Sequence, residues 1–370
     1  MNNDKFMTGT EKDAFAGCLL GTAVGDSLGL PYEGLSPERA RKLFPDTSKH
    51  HFLFGRGMVS DDTEHACFTA QAIIRSNGDV SEFQKQLARS LRWWLTALPA
   101  GIGFATLRSI LKLWLGIRPS KSGVFSAGNG PSMRSPILGV AFGHDHEKLK
   151  VFVKASTEIT HSDPKAYYAA MAVAVASMDF ARADDRWRED FQKTLNDQMP
   201  EPDAREFHDL INSARISAQK DEPVTQFAEE IGSGNGISGY SYHTVPCVLQ
   251  VWFKHKDDFQ TGLQEIIEAG GDTDTAGAIY GGIVGARAGI HSIPKAWLDN
   301  IIEWPRTTGW IERLGCALAD ALDEHPSSAT SPRYFVPGIL LRNFLFLLFV
   351  LAHGFRRLAP PYNASGRSGP

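Results

Sequence analysis

Apolar residues recur every three or four positions along most of this 370-residue chain, the spacing that places them on one face of an α-helix. No run of alternating apolar and polar residues bounded by hairpin turns competes with this pattern. The sequence therefore predicts an all-α fold. Helices are predicted over residues 13–30, 63–76, 81–97, 104–116, 147–160, 164–181, 204–218, 241–253, 258–269, 275–289 and 307–322.

Two of these predicted helices are rich in alanine and glycine. They contain AYYAAMAVAVASM at residues 166–178 and AGAIYGGIVGARAG at residues 276–289. Because small side chains allow helix backbones to approach closely, we expect both helices to pack tightly inside a bundle.

Polar or Ser/Pro-rich stretches mark two candidate linkers, at residues 183–206 and 323–333. We predict one compact helical domain over residues 1–325, followed over 326–370 by a Pro/Ser linker and a hydrophobic C-terminal helix with a basic flank. The uninterrupted apolar run in this tail covers only residues 344–352, whereas a membrane-spanning helix needs about 20 residues. A helix that docks on the body or lies in a membrane interface is therefore favoured over a span.

Composition is that of a soluble globular protein, with 42% hydrophobic and 22% charged residues. The formal net charge of -4 is spread along the chain without a basic stripe, which excludes a dedicated nucleic-acid binder. The four cysteines have no C-x-x-C spacing, so buried reduced thiols are expected. The first residues lack the pattern of a secretory signal. We therefore expect a cytoplasmic protein.

Closely spaced carboxylates precede two of the predicted helices. The segment SDDTEHA, residues 60–66, contains Asp61 and Asp62, and GGDTDT, residues 270–275, contains Asp272 and Asp274. Helix capping explains one acid in each loop, including a capping-box spacing from Asp61 to the glutamate three residues later. A second acid repels the first unless a cation lies between them. Carboxylates with neighbouring Ser and Thr hydroxyls are oxygen ligands that suit magnesium, manganese or calcium rather than zinc.

Five motifs in order resemble those of the ADP-ribosylglycohydrolase family, and the resemblance covers roughly residues 12–322. The motifs are GCLLGTAVGDSLGLPYEG, SDDTEHA, AGNGPSMR, THSDPKAYYAA and GGDTDTAGAIYGGIVGARAG. The resemblance implies an all-α orthogonal bundle whose central cleft holds two Mg²⁺ or Mn²⁺ ions. It also implies that the protein removes ADP-ribose from modified side chains or cleaves related ADP-ribose linkages.

The resemblance also implies which residues form the metal site and the catalytic centre. The metal-binding positions are Ser60, Asp61, Asp62, Asp272, Asp274 and Thr275. The family usually has threonine at the first position, and serine keeps the oxygen ligand. Glu33 matches a glutamate that assists cleavage beside the ribose, and Asp61 and Asp62 are predicted to stabilise the positive charge that develops there.

The substrate-binding positions implied by the resemblance lie in the third and fourth motifs and just before them. They are Phe125, Gly128, Asn129, Gly130, Ser132, Met133 and His161. Consecutive Gly and Asn residues let backbone N–H groups approach a diphosphate. Phe125 is a stacking surface for adenine or a plain turn residue, and His161 contacts substrate or caps a helix end.

One departure from the family's motifs leaves open which acceptor carries the ADP-ribose in the substrate. Where some family members carry Asp-Ile-Gly, this chain has Gly101 in LPAGIGFAT, so that carboxylate is absent. Arginine-linked ADP-ribose is the first expected substrate, with serine-linked or O-acetyl-ADP-ribose as alternatives. An ADP-ribose-binding or toxin-immunity protein that acts by occlusion is the alternative from another class. Its partner would be a cognate ADP-ribosyltransferase toxin, and peripheral membrane contact through the C-terminal helix stays open.

Overall fold

The computed structural model describes residues 9–178, 186–200, 202–323 and 330–358. Within these residues the chain forms 18 α-helices, three short 3-10 helices and isolated β-bridges only. The helices are α1 (Gly9–Gly29), α2 (Pro37–Leu43), α3 (Asp61–Ser76), α4 (Val80–Thr96), α5 (Phe104–Trp114), α6 (Gly130–Met133), α7 (Pro136–Phe142), α8 (His146–Glu158), α9 (Pro164–Ala176), α10 (Arg186–Gln198), α11 (Arg205–Gln219), α12 (Val224–Glu230), α13 (Ser241–Lys254), α14 (Phe259–Glu268), α15 (Thr273–Ala288), α16 (Lys295–Asp299), α17 (Thr308–Leu322) and α18 (Gly338–Leu358).

The all-α prediction is confirmed, and each helix predicted from the apolar spacing is present, some with ends shifted by a few residues. The last residues of the prediction over 164–181 lie outside the described residues. The linker predicted over 183–206 is wrong where α10 forms. Trp187, Phe191 and Leu195 recur every four positions there and are buried, which makes α10 an amphipathic helix of the core.

The centre of the fold is the pair α1 and α15, whose backbones touch along a seam of glycines. A Cβ atom at Gly25 would lie 1.9 Å from the carbonyl oxygen of Gly277, and one at Gly21 would lie 2.1 Å from that of Gly281. Only glycine fits at such distances. The tight packing predicted for the second small-residue helix is therefore confirmed, and it fixes the start of α15 against the end of α1.

Helix α18 lies on the body of the protein along one face. Its buried residues are Ile339, Arg342, Asn343, Phe346 and His353. Among the described residues, two helical stretches are long and apolar enough to cross a membrane, Lys12–Tyr32 and Gly338–Arg357, and they are 94% and 33% buried in the protein. The predicted domain boundary between residues 325 and 326 lies outside the described residues.

The cysteines are unpaired. Cys18, Cys67 and Cys247 are buried, as expected from the sequence, whereas Cys316 is only half-buried. Burial raises the pKa of the Cys67 thiol to about 12. The buried thiols are therefore protonated near neutral pH and act as small apolar side chains.

Candidate active site

A cleft of about 490 Å³ opens where both acidic loops, the turn after α1, the glycine-rich loop before α6, the residues after α8 and one face of α18 meet. The structure thus brings together segments that are far apart in sequence. The site residues predicted from sequence that line this cleft are Glu33, Ser60, Asp61, Gly128, Asn129, Gly130, Met133, His161, Asp272, Asp274 and Thr275.

The first acidic loop is the N-terminal turn of α3. Ser60 is the N-cap residue, and its hydroxyl accepts a hydrogen bond from the backbone N–H of Asp62 at 3.3 Å. The same hydroxyl lies 3.0 Å from the Asp62 carboxylate and donates to it. Asp61 is therefore not a cap, and its predicted capping partner Glu64 instead forms a buried ion pair with Arg306 at 2.5 Å.

Asp26 in α1, which the sequence pattern did not single out, holds this loop in place. Its carboxylate accepts hydrogen bonds from the backbone N–H groups of Ser60 at 2.8 Å and Thr63 at 3.2 Å. It also accepts one from the Thr63 hydroxyl at 2.5 Å. Burial raises the pKa of Asp26 to about 6, although these hydrogen bonds lower it. The sequence signal that could have identified Asp26 is an acid within an apolar, glycine-rich predicted helix.

The second acidic loop begins with two glycines in the left-handed region, Gly270 with φ of 67° and Gly271 with φ of 83°. Glycine adopts this conformation without the steric cost of a side chain. The carbonyl of Gly271 accepts a hydrogen bond from the N–H of Gly34 at 2.7 Å. The N–H of Asp272 donates to the carbonyl of Ile237 at 2.6 Å. These bonds fix the loop beside the turn that carries the predicted catalytic glutamate.

Helix capping does not explain the carboxylate of Asp272. The residue occupies the N-cap position of α15, but its side chain forms no cap hydrogen bond. It accepts instead a 2.6 Å hydrogen bond from the side-chain amide of Asn129, which also donates to the Thr244 hydroxyl at 3.0 Å. Asn129 therefore links the second acidic loop to the glycine-rich loop.

The two acidic loops meet although 213 positions separate Asp62 from Thr275, whose hydroxyl lies 3.4 Å from the Asp62 carboxylate. Burial raises the pKa of Asp62 and Asp274 well above their usual range, and neighbouring carboxylates raise both further. Burial, followed by the charge of Asp26, does the same to Asp61. Ionising all these groups together is unfavourable unless positive charge compensates them.

These residues fit a hard divalent cation. Asp62 Oδ1 is buried and has no hydrogen-bond partner among the described residues, although buried carboxylate oxygens are normally satisfied. The surrounding side chains offer carboxylate and hydroxyl oxygens, the donor set of Mg²⁺ and Mn²⁺ sites. Among the described residues, no three His, Cys, Asp or Glu side chains converge on one metal-binding point. A cation would therefore need the hydroxyls of Ser60 and Thr275 as well as the carboxylates.

Glu33 lies at the edge of the cleft, directly after the short 3-10 helix Leu30–Tyr32. Its side chain is exposed, yet it lies within the concave surface. Its pKa is raised, first because the cleft removes part of its hydration and second because of the charge on Asp272, while Arg357 acts in the opposite direction. A raised pKa suits a carboxylate that exchanges protons during a reaction.

The glycine-rich loop packs directly on His161. A Cβ atom at Gly128 would lie 3.0 Å from the Nε2 atom of His161, and one at Gly130 would lie 3.2 Å from its Cε1 atom. The Nδ1 atom of His161 lies 2.9 Å from the Thr160 hydroxyl. Burial, with a smaller effect of Arg134, lowers the pKa of His161 to about 3. A neutral imidazole therefore faces the loop at physiological pH.

Arg134 is a further residue that the sequence motifs contained without revealing its role. Its buried guanidinium donates to the carbonyl of Gly130 at 3.0 Å, the carbonyl of Ser156 at 2.9 Å and the hydroxyl of Thr160 at 2.7 Å. It thereby ties the glycine-rich loop to the residue that precedes His161. The sequence signal that could have identified Arg134 is its position as the last residue of the motif AGNGPSMR.

Two predicted substrate-binding residues do not line the cleft. Phe125 is 81% exposed and lies outside the lining, so the stacking role expected for it has no support from its position. Ser132 is fully buried behind the lining, and its hydroxyl has no hydrogen-bond partner. The predicted substrate contacts are therefore concentrated on the glycine-rich loop, Met133 and His161.

Comparison with known proteins identifies the family of the chain. The model of the ADP-ribosylglycohydrolase family matches residues 7–330. An uncharacterized protein of Archaeoglobus fulgidus is 31% identical, over 78% of this chain and 92% of that protein. The ADP-ribosyl-[dinitrogen reductase] glycohydrolase of Rhodospirillum rubrum is 27% identical, over 80% and 92%, and the ADP-ribosylhydrolase ARH3 of Gallus gallus is 26% identical, over 76% and 87%.

A solved structure, described as an ADP-ribosylglycohydrolase-related protein complex, matches with a TM-score of 0.58 and 25% identity. The match covers 85% of this chain and all of that chain. The family match and the named relatives define a hydrolase that acts on glycosyl bonds. The chain belongs to the ADP-ribosylglycohydrolase family, whose members remove ADP-ribose from modified targets and are generally metal-dependent.

Proposed function

We propose that this protein is a metal-dependent hydrolase that releases ADP-ribose from protein side chains, with the N-glycosidic bond to arginine as its preferred target. The observation that carries this proposal is the meeting of two acidic loops and Glu33 in one cleft. The Rhodospirillum rubrum relative is named for an ADP-ribosylated protein, dinitrogen reductase, which supports a protein-linked substrate. Glu33, a cleft carboxylate outside the proposed metal ligands, also favours a guanidine leaving group, which becomes cationic.

Two Mg²⁺ or Mn²⁺ ions are the proposed cofactor. When bound, they would supply Lewis-acid stabilisation to substrate oxygens and neutralise the clustered carboxylates. The oxygen of Asp62 that lacks a hydrogen-bond donor supports this assignment. The residues that would hold the ions are Ser60, Asp61, Asp62, Asp272, Asp274 and Thr275.

The chain's own residues supply binding and proton transfer. The glycine-rich loop that contains Asn129 offers the diphosphate a surface without large side chains, and neutral His161 lies beside this loop without adding charge. Glu33 takes a proton from the attacking water while the bond between the anomeric carbon and the acceptor atom breaks. The water oxygen bonds to the anomeric carbon, and the proton taken by Glu33 is passed on to the leaving acceptor atom, so hydrolysis yields free ADP-ribose and an unmodified side chain. Asp61 and Asp62 favour the positive charge that develops on the ribose.

Serine-linked or O-acetyl-ADP-ribose is the second candidate substrate. Gly101 and Gly103 line the cleft, and a Cβ atom at either position would have no neighbour within 4 Å. That part of the wall therefore offers space and no carboxylate to pair with a guanidinium. This observation favours a neutral acceptor such as serine, whereas negative charge in the cleft favours a cationic acceptor such as arginine.

A panel of arginine-, serine- and cysteine-linked ADP-ribosyl peptides, incubated with Mg²⁺ and read by mass spectrometry, tests the function. We expect the wild type to release ADP-ribose and a chelator to stop the release. The variant carrying Asp61→Ala and Asp272→Ala should be inactive. Full metal-dependent release by this variant would contradict the proposal. Tight binding of ADP-ribose without release from any peptide would favour the alternative of a binding or toxin-immunity protein.

A further inference from the structure

Helix α18 contributes to the cleft although it lies beyond the part of the chain that the family model matches, which ends at residue 330. The residues of α18 that line the cleft are Phe346, Val350, His353, Gly354 and Arg357. Most of these positions follow one another at intervals of three or four, so they form one stripe of the helix. One side of the cleft is therefore formed by residues that follow the range matched by the family model.

The first half of α18 is anchored next to the first acidic loop. The guanidinium of Arg342 donates to the Glu303 carboxylate at 2.7 and 2.9 Å, and both side chains are buried. Arg342 also donates to the carbonyl of Val59 at 2.5 Å, immediately before Ser60. The charge-assisted hydrogen bonds between Arg342 and Glu303 fix the orientation of the guanidinium as well as its distance from the carboxylate.

The second half of α18 is anchored on the turn that carries Glu33. Arg357 donates to the carbonyl of Glu33 at 2.6 Å and to that of Pro31 at 2.8 Å. The Nε2 atom of His353 lies 3.0 Å from the same Pro31 carbonyl. Between the two anchors, Phe346 packs into a small apolar cluster with Leu30. The helix therefore has a defined position relative to both acidic loops.

The walls of the cleft differ in chemistry. Glycine backbone and His161 form the wall suited to a diphosphate, and the acidic loops occupy the region suited to the ribose. The α18 wall contains the open position Gly354, where a Cβ atom would have no neighbour among the described residues within 4 Å. Besides the polar side chains of His353 and Arg357 towards the C-terminal end of the helix, it offers the half-buried Val350 and the edge of the largely buried Phe346. Apolar groups of this kind contact the aliphatic part of a side chain and the adjoining peptide.

We propose that α18 is the acceptor wall of the cleft, the surface against which the protein side chain attached to ADP-ribose lies, a role that presupposes the hydrolase function. Gly354 keeps the entrance wide enough for a peptide acceptor. The acceptor wall then discriminates between conjugates by what is attached to the ribose, whereas ADP-ribose itself is bound elsewhere in the cleft.

The test is the full-length variant Gly354→Trp, with Leu351→Trp as its matched control on the same helix. Leu351 is 49% exposed and does not line the cleft. We expect Gly354→Trp to lower kcat/KM for an ADP-ribosylated peptide by about tenfold or more, mainly through KM, because the indole fills acceptor space. The Kd for free ADP-ribose and the thermal midpoint should stay at the wild-type values, and the control should match the wild type in every measurement.

Equal losses of peptide cleavage and ADP-ribose affinity in Gly354→Trp, or no loss of either, would overturn the acceptor wall. Failure of the hydrolase function appears separately, as a wild type that cleaves neither arginine- nor serine-linked peptides. In that case the same variants are compared by equilibrium binding of the modified peptide and of free ADP-ribose. The acceptor wall then predicts weaker binding of the peptide alone, and unchanged peptide binding overturns it.

Discussion

The hydroxyl of Thr63 in α3 donates a 2.5 Å hydrogen bond to the carboxylate of Asp26 in α1. The same carboxylate accepts the backbone N–H of Ser60, so a side chain from another helix orients the first turn of α3. Asp61 and Asp62 are thereby released from capping their own helix and remain available to a ligand.

Removing this support should weaken the site more than the fold. Asp26→Asn leaves one acceptor but directs an amide N–H₂ group towards N–H donors, which should cost about 1–3 kcal/mol of stability. Because the acidic turn shifts, we expect kcat/KM to fall by roughly two orders of magnitude. Thr63→Val should have a smaller effect on both. Steady-state kinetics and urea unfolding measure these changes.

The matched control is Thr69→Val, a buried threonine of the same helix whose hydroxyl bonds only to the carbonyl of His65. Its cost should be about 1 kcal/mol or less, with activity near that of the wild type. Wild-type activity in Asp26→Asn would show that the carboxylate of Asp26 does not position the acidic turn.

The pair formed by Asp26 and Thr63 also shows where sequence reasoning stops. Helix spacing predicts that Asp26 lies in a buried helix, and a buried acid needs a partner. The partner is 37 positions away on a helix whose rotation the pattern does not specify. Each acidic loop was predictable because its two acids lie within two positions of each other in sequence, but the residue that orients the first loop was not.

The C-terminal helix illustrates a second limit. Its apolar run predicts a helix, and Arg342 is a charged residue two positions before the run over residues 344–352. In the structure this arginine is buried against Glu303, and Arg357 bonds to the turn before Glu33. Both contacts join residues that local periodicity does not relate, so the helix was predictable whereas its place in the cleft was not.

Mg²⁺ should stabilise the protein, and the stabilisation should grow with pH. The pKa of buried Asp26 is raised to about 6, and those of Asp62 and Asp274 are raised well above their usual range. Between about pH 4 and these raised values, the folded state holds more protons than the unfolded state, so without a cation its stability falls as pH rises. A bound cation offsets this loss only where the carboxylates are ionised.

Thermal unfolding at pH 5 and pH 8, with Mg²⁺ or with a chelator, measures the effect. The increase in Tm caused by Mg²⁺ should be larger at pH 8, and NaCl of equal ionic strength should not reproduce it. The combined variant Asp61→Asn and Asp272→Asn should lose most of the increase. An increase of equal size in that variant would place the cation elsewhere.

Glu33→Gln should lower kcat while leaving substrate binding intact. The raised pKa of Glu33 means that its carboxylate gains a proton as pH falls through this elevated value, which removes the base and lowers kcat on the acid side. Glutamine cannot accept the proton at any pH, so kcat should fall by about 10²–10⁴ and the acid limb due to Glu33 should disappear. The exposed Glu38→Gln in α2 is the control and should retain wild-type kinetics. A Glu33→Gln enzyme with the wild-type pH profile would exclude Glu33 as the base.

The glycine seam between α1 and α15 should be the most sensitive part of the scaffold. A Cβ atom at Gly25 would lie 1.9 Å from the Gly277 carbonyl oxygen, so Gly25→Ala forces the two helices apart. We expect the free energy of unfolding in urea to fall by about 3 kcal/mol or more, and Mg²⁺ to stabilise the variant less because α15 carries the second acidic loop.

Gly309→Ala in α17 is the control. The nearest neighbour of the added Cβ atom would be a flexible arginine side chain at 3.6 Å, so the stability should change by about 1 kcal/mol or less. Equal stability of the two variants would mean that the seam adapts without moving the acidic loop.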